Sequence, residues 1–168
     1  GVGIFSAAMK KDELSDADYA TMVKSTTKLN AVGSELATLP GVHAMTDVTG
    51  FGLLGHLLEM CRGAGLSARL QANAVPILPG AGALAEAGYA TGAAARNWSS
   101  YKEAVHLAEE TPDWRRGLLC DPQTSGGLLI AVDPNDAAEV MRRVRAAGFD
   151  QAAIVGTMTT GEASIRVA

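Results

Sequence analysis

Val42-His43-Ala44-Met45-Thr46-Asp47-Val48-Thr49-Gly50-Phe51-Gly52-Leu53-Leu54-Gly55-His56 passes from strand formers through a glycine-bearing turn into a helical pattern. Pro40-Gly41 breaks the chain ahead of it, so residues 42–46 read as a short, largely buried strand. Phe51, Leu54, Leu57, Leu58 and Cys61 then recur at i, i+3, i+6, i+7 and i+10, which is one helical face. That helix starts near Gly50 and stops at Gly63-Ala64-Gly65. The unit is a strand, a glycine turn and a helix.

Working outward, residues 66–71 alternate as a strand, and Pro76, Pro79, Gly80 and Gly82 mark a loop before a short Ala-rich helix ending at Gly88. Between Tyr89 and Thr111 no period is sustained. The stretch, with Arg96-Asn97-Trp98 and Tyr101, reads as a long loop. Residues 112–119 form a short helix opened by Pro112, running into Cys120-Asp121-Pro122-Gln123-Thr124-Ser125-Gly126-Gly127 and an apolar strand over 128–132. A helix from Asp133 carries Ala137, Val140, Met141, Val144 and Ala147 on one face and ends at Gly148. Strands over 152–158 and 164–167 follow, with a turn at Gly161. Upstream, Ser15 and Asp18 form a capping-box-like start to a helix over 15–29, with Tyr19, Met22, Val23 and Thr26 on one face. Strands and helices that do not alternate strictly predict an α+β domain with a mixed sheet. The chain reads as a single domain over 1–168, with a helical N-terminal extension over about 1–40.

The 168 residues suffice for one domain with a sizeable core. Thirty are alanine and aromatics reach only 5%, so the core is aliphatic and closely packed, while 19 glycines point to functional or tight turns. A formal net charge of −4 disfavours nucleic acid and anionic membranes as partners. No run approaches the ~18 apolar residues of a membrane span. Cys61 and Cys120 make neither a disulfide framework nor a zinc site and read as reduced thiols of a cytosolic protein. The start at Gly1, without an initiator Met or a basic leader, suggests a fragment or a processed chain.

Asp47 is the sharpest candidate for chemistry, because a carboxylate at the end of a buried strand can present an oxygen to a ligand such as Mg²⁺. One carboxylate cannot hold Mg²⁺ by itself, since the ion shares its shell with waters and phosphate oxygens. The competing reading is that Asp47 or Thr49 caps the following helix. Thr49-Gly50-Phe51-Gly52 can leave backbone N–H groups free for an anion at a helix N-terminus, although no Walker A pattern occurs. His56 reads as a base, a ligand or a satisfied core histidine. The loop from Asp121 to Gly127 can cradle an oxyanion with backbone donors, or be only a tight turn with Gly126 and Gly127 at positive φ. His43, His56 and His106 are too scattered for zinc, and no nucleophile elbow is present.

Residues 45–56, with Cys120-Asp121-Pro122-Gln123-Thr124-Ser125-Gly126-Gly127-Leu128-Leu129, closely resemble the C-terminal half of the selenophosphate synthetases (selenide, water dikinases). Gly3-Ile4-Phe5-Ser6-Ala7-Ala8 and Arg96-Asn97-Trp98-Ser99-Ser100-Tyr101 extend the resemblance over essentially the whole chain. It implies the three-layer α/β/α, partly ferredoxin-like C-terminal domain of the aminoimidazole ribonucleotide synthetase superfamily. It also implies the conversion of ATP, selenide and water to selenophosphate, AMP and phosphate with Mg²⁺, for selenocysteine biosynthesis in the cytoplasm.

By the same resemblance Asp47 is a magnesium ligand, and Thr49, Gly50, Gly52, Thr124, Ser125, Gly126 and Gly127 line the nucleotide site. The family's reactive Cys or selenocysteine, its Lys and most ATP-binding residues belong to an N-terminal domain absent from this sequence. No catalytic residue is therefore assigned, Cys61 and Cys120 do not inherit the nucleophile's role, and the chain alone is expected to be inactive. Full-length members are expected to be homodimers. Two other readings stay open, a packing or partner-docking domain in which Asp47 is only a cap, and a superfamily relative acting on another substrate.

Overall fold

Ser15 accepts a hydrogen bond from the Asp18 amide at 3.1 Å and donates its own hydroxyl to the Asp18 carboxylate, and this pair opens a helix in the computed structural model, which describes all 168 residues. The order is α1 (Val2–Met9), α2 (Asp16–Thr26), α3 (Val32–Leu36), β1 (Val42–Asp47), α4 (Gly52–Ala64), β2 (Leu66–Leu70), α5 (Ala81–Glu86), α6 (Gly92–Tyr101), β3 (Val105–Leu107), α7 (Asp113–Leu119), β4 (Leu128–Val132), α8 (Ala137–Ala146), β5 (Gly156–Thr160) and β6 (Ile165–Val167). Gly65, at φ +65°, takes the left-handed turn that ends α4 and lets β2 follow at once. The fold is α+β with a mixed sheet, as its sequence pattern predicts.

The strands separate into two sheets rather than one. Four make a mixed sheet in the order β3-β6-β2-β5, in which β2 pairs antiparallel with β5 and parallel with β6, and β6 pairs parallel with β3. β1 and β4 pair antiparallel on their own. α4 packs against strands of both sheets and is the pivot of the main core. Its Leu54, Leu57, Leu58 and Cys61 meet Ala68, Leu70, Ile165 and Val167 from the inner face of the larger sheet, and Leu119, Cys120 and Leu129 from the neighbourhood of the smaller one. Each such leucine stabilises the fold by about 1.5–3 kcal/mol through burial. A second cluster joins Ile4 and Phe5 of α1 to Ala81 and Ala85 of α5 and Leu118 of α7. Alanine earns its abundance here, because Ala8 and Ala81 are fully buried at close helix contacts.

Three expectations need correction. Residues 89–111 are not a loop: Thr91 accepts from the Ala94 amide at 3.1 Å to cap α6, which runs through a 3-10 turn into β3. The helix lacks an apolar stripe because its inward residues are Ala94, Asn97 and Tyr101, one small, one polar and one aromatic. The helix expected over 15–29 ends at Thr26, and of its one face Met22 packs on the second cluster while Tyr19 and Val23 are exposed. The strand expected over 152–158 begins only at Gly156, where a Cβ would stand 2.1 Å from the Arg69 carbonyl oxygen. No helix is long and apolar enough to cross a membrane.

Candidate functional site

Asp47, the last residue of β1, is the register partner of Leu128, the first residue of β4. The chain leaving β1 and the chain entering β4 therefore emerge side by side. Residues 48–51 and 121–127, the two loops singled out by sequence, are brought into contact. The Val48 amide donates to the Gly127 carbonyl at 2.9 Å and the Gln123 amide to the Thr49 carbonyl at 3.0 Å.

The glycines make this junction possible in different ways. A Cβ on Gly126 would lie 1.8 Å from the Val48 carbonyl oxygen, so this position admits no side chain. The alternative reading, a tight turn with Gly126 and Gly127 at positive φ, is not what forms; Ser125, at φ +47°, makes the left-handed turn instead. Gly52 is at φ +68° and sits against the backbone of Cys120, where a Cβ would come within 2.6 Å. Gly50 has open space around it and is exposed.

Side chains from elsewhere hold the loop carbonyls. Asn97 Nδ2 donates to the Gly50 carbonyl at 2.8 Å and to the Cys120 carbonyl at 3.1 Å, Asn30 Nδ2 to the Gly126 carbonyl at 2.7 Å, and the Tyr101 hydroxyl to the Phe51 carbonyl at 3.1 Å. With the backbone bonds above, the carbonyls of Thr49, Gly50, Phe51, Gly126 and Gly127 all accept hydrogen bonds. The amides of Thr49, Gly50, Phe51, Thr124, Ser125, Gly126 and Gly127 donate to nothing within the chain. Thr124 and Ser125 are exposed, and their hydroxyls have no partner. Two strands' ends thus present a row of unused backbone donors with acceptors turned to other work, the arrangement that accepts an oxyanion.

Beside this row stands the Asp47 carboxylate, exposed and without a hydrogen-bond or ion-pair partner. It does not cap α4. The N-cap is Phe51, with no side-chain cap bond, and Thr49 Oγ1 is engaged 3.2 Å from His56 Nε2. His56 is a buried structural residue whose Nδ1 lies 3.0 Å from Glu59 Oε2 without forming a hydrogen bond. No group of three or more His, Cys, Asp or Glu side chains gathers anywhere in the chain. Asp47 fits a metal as one ligand among several, and the chain by itself does not complete a coordination shell.

The thiols are unsuited to nucleophilic work. Both are buried and free, and burial pushes both Cys61 and Cys120 above the ordinary thiol range. Sequence reasoning missed Asn97 as the clasp between loops, and it missed what Asp121 and Gln123 do. Asp121, 1% exposed, accepts from the Gly3 amide at 2.9 Å and the Ile4 amide at 3.3 Å, while Gln123 Oε1 accepts from the Val2 amide at 3.2 Å. Together they cap α1 from a point more than a hundred residues away. The only signal in the sequence was that α1 opens without a capping side chain of its own.

The family described as AIR synthase related protein, C-terminal domain, matches residues 1–168. The chain belongs to this family. Among its relatives, the selenide, water dikinase of Rhizobium meliloti (strain 1021) is 54% identical over 99% of this chain and 48% of its own length. That of Burkholderia ambifaria (strain MC40-6) is 54% identical over 100% of this chain and 48% of its own. The chain thus spans about half the length of the curated relatives it matches. Solved structures share its fold at lower identity. Escherichia coli HypE has a TM-score of 0.66 at 19% identity, covering 99% of this chain and 43% of that one. A hydrogenase maturation protein HypE in complex with ATP has a TM-score of 0.52 at 17% identity, covering 83% and 37%.

Proposed function

We propose that this chain is the C-terminal part of a selenide, water dikinase, which converts ATP, selenide and water to selenophosphate, AMP and phosphate. The observation that carries the phosphate chemistry is the free Asp47 carboxylate beside the unpaired amides of two abutting glycine loops. The choice of substrate is supported by relatives of that name at 54% identity along the whole chain.

In this reading the amides of Thr49, Gly50, Thr124, Ser125, Gly126 and Gly127 donate to phosphate oxygens, and Gly52 lets the first loop lie against Cys120. Asp47 would hold Mg²⁺ as one ligand, the rest of its shell coming from phosphate oxygens and groups outside these residues. When bound, the ion neutralises charge on the transferring phosphoryl groups. Asp47 supplies only part of its shell, so the 168 residues alone do not turn over ATP. The working enzyme is a cytoplasmic homodimer in which selenide is handled by groups outside this chain. The docking-domain alternative needed Asp47 as a helix cap, a bond that α4 lacks.

Complementation of a strain that requires selenophosphate tests the substrate. The full-length protein restores selenium incorporation and residues 1–168 alone do not; failure of the full-length protein would point to another substrate within the family.

A further inference from the structure

The outer face of the four-stranded sheet carries two arginines side by side with a histidine next to them. Arg69 on β2 is the register partner of Arg166 on β6, and His106 on β3 is the register partner of Arg166 on its other side. All three are exposed, while Leu70, Ile165, Val167 and Val105 point to the core from the same strands. Like charges side by side on neighbouring strands repel unless something neutralises them. No salt bridge relieves this: neither guanidinium lies within ion-pairing distance of a carboxylate, although other arginines on the molecule, such as Arg116, Arg142 and Arg143, are paired.

The row lies in a concavity of about 830 Å³. Hydroxyl donors are at hand there, because Ser67 and Thr159 face each other in register with their oxygens 2.8 Å apart, two residues along β2 from Arg69. Glu103 and Glu162 also line the concavity, and they oppose an anion near themselves, which leaves the arginine pair as the seat. The rest of the chain is acidic, with a net charge of −4, so the row is a local feature and too small for a nucleic-acid track.

We propose that Arg69 and Arg166 form a binding site for a phosphate-type dianion on the outer face of this sheet, separate from the glycine loops on the other sheet. Planar guanidinium forks match tetrahedral oxyanions, and two of them on adjacent strands grip one phosphate from two sides. His106 and the Ser67–Thr159 hydroxyl pair supply further donors around it. The site does not depend on the phosphoryl-transfer reading.

Equilibrium dialysis of the protein against labelled inorganic phosphate, in chloride of matched ionic strength, tests it. The Arg69→Gln/Arg166→Gln variant is expected to lose affinity about tenfold or more, with an unchanged circular dichroism spectrum and thermal midpoint. The glycine loops would bind phosphate through backbone amides that neither arginine substitution touches, so phosphate lost in the double variant is the sheet's and phosphate retained is the loops'. Competition by AMP shows that the site accepts a phosphate monoester, and its absence restricts the site to orthophosphate. Binding equal to the parent's in the double arginine variant, or no phosphate binding above the chloride baseline, would overturn the proposal.

Discussion

Asn97 Nδ2 donates to the Gly50 carbonyl at 2.8 Å, and the same nitrogen reaches the Cys120 carbonyl at 3.1 Å, so one buried amide clasps the start of each glycine loop. Asn97→Ala leaves both carbonyls without this donor and is expected to cost about 1–3 kcal/mol. In the full-length protein it is expected to raise the KM for ATP as the loops separate. Asn97→Asp places a carboxylate against two carbonyl oxygens and is expected to be worse on both counts. Urea denaturation and initial-rate measurements check this.

The glycines of the two loops are not equivalent. Gly126→Ala forces a Cβ against the Val48 carbonyl oxygen, 1.8 Å away before relaxation, and is expected to destabilise by about 1–3 kcal/mol or more. Gly50→Ala meets open space and no left-handed backbone, and is expected to stay within about 0.5 kcal/mol of the parent. Equal effects from the two substitutions in denaturant titrations would contradict the packing described here.

Asp121→Ala removes the acceptor from the Gly3 and Ile4 amides inside the protein, a loss of about 1–3 kcal/mol. Its effect should fall on α1 and its cluster. Hydrogen exchange is expected to quicken around Phe5 and Ala8 well before it does around Leu54 and Leu58.

The buried thiols make stability depend on alkaline pH. Cys61 and Cys120 have thiols pushed above the ordinary value of 9.0, mainly by desolvation. Because the unfolded chain releases these protons first, stability is fully present below about pH 9 and falls as pH rises through the unfolded and then the folded values. The Tyr101 hydroxyl, also raised chiefly by burial, acts in the same direction at higher pH. Denaturation midpoints followed from pH 7 to 10 should decline, and Cys61→Ala/Cys120→Ala should flatten the decline. Thiol reagents are expected to react slowly with the folded protein and fast once it unfolds.

The strand, turn and helix around Asp47 were legible because nearly every apolar residue of α4 faces inward, so Leu54, Leu57, Leu58 and Cys61 print the period directly. α6 was not, since a helix whose buried face is Ala94, Asn97 and Tyr101 leaves no such print. The two glycine loops could be named separately, but their meeting depends on the pairing of β1 with β4, eighty residues apart, and local spacing holds no record of that register. Gly126 looked like a turn glycine and proved to be a contact glycine, a distinction that exists only once Val48 is placed against it. That Asp121 caps α1 is likewise visible only in three dimensions.

The most direct measurement is the Mg²⁺ dependence of selenophosphate formation, followed by phosphorus NMR, in full-length protein carrying Asp47→Asn. The Asp47 side chain makes no bond within this chain, so thermal stability should match the parent within about 0.5 kcal/mol. The concentration of Mg²⁺ required should rise on the order of 10–100-fold, a loss that even outer-shell groups at metal sites can produce. Unchanged Mg²⁺ and ATP dependence in a stably folded Asp47→Asn protein would contradict the assignment of this carboxylate, and with it the composite site.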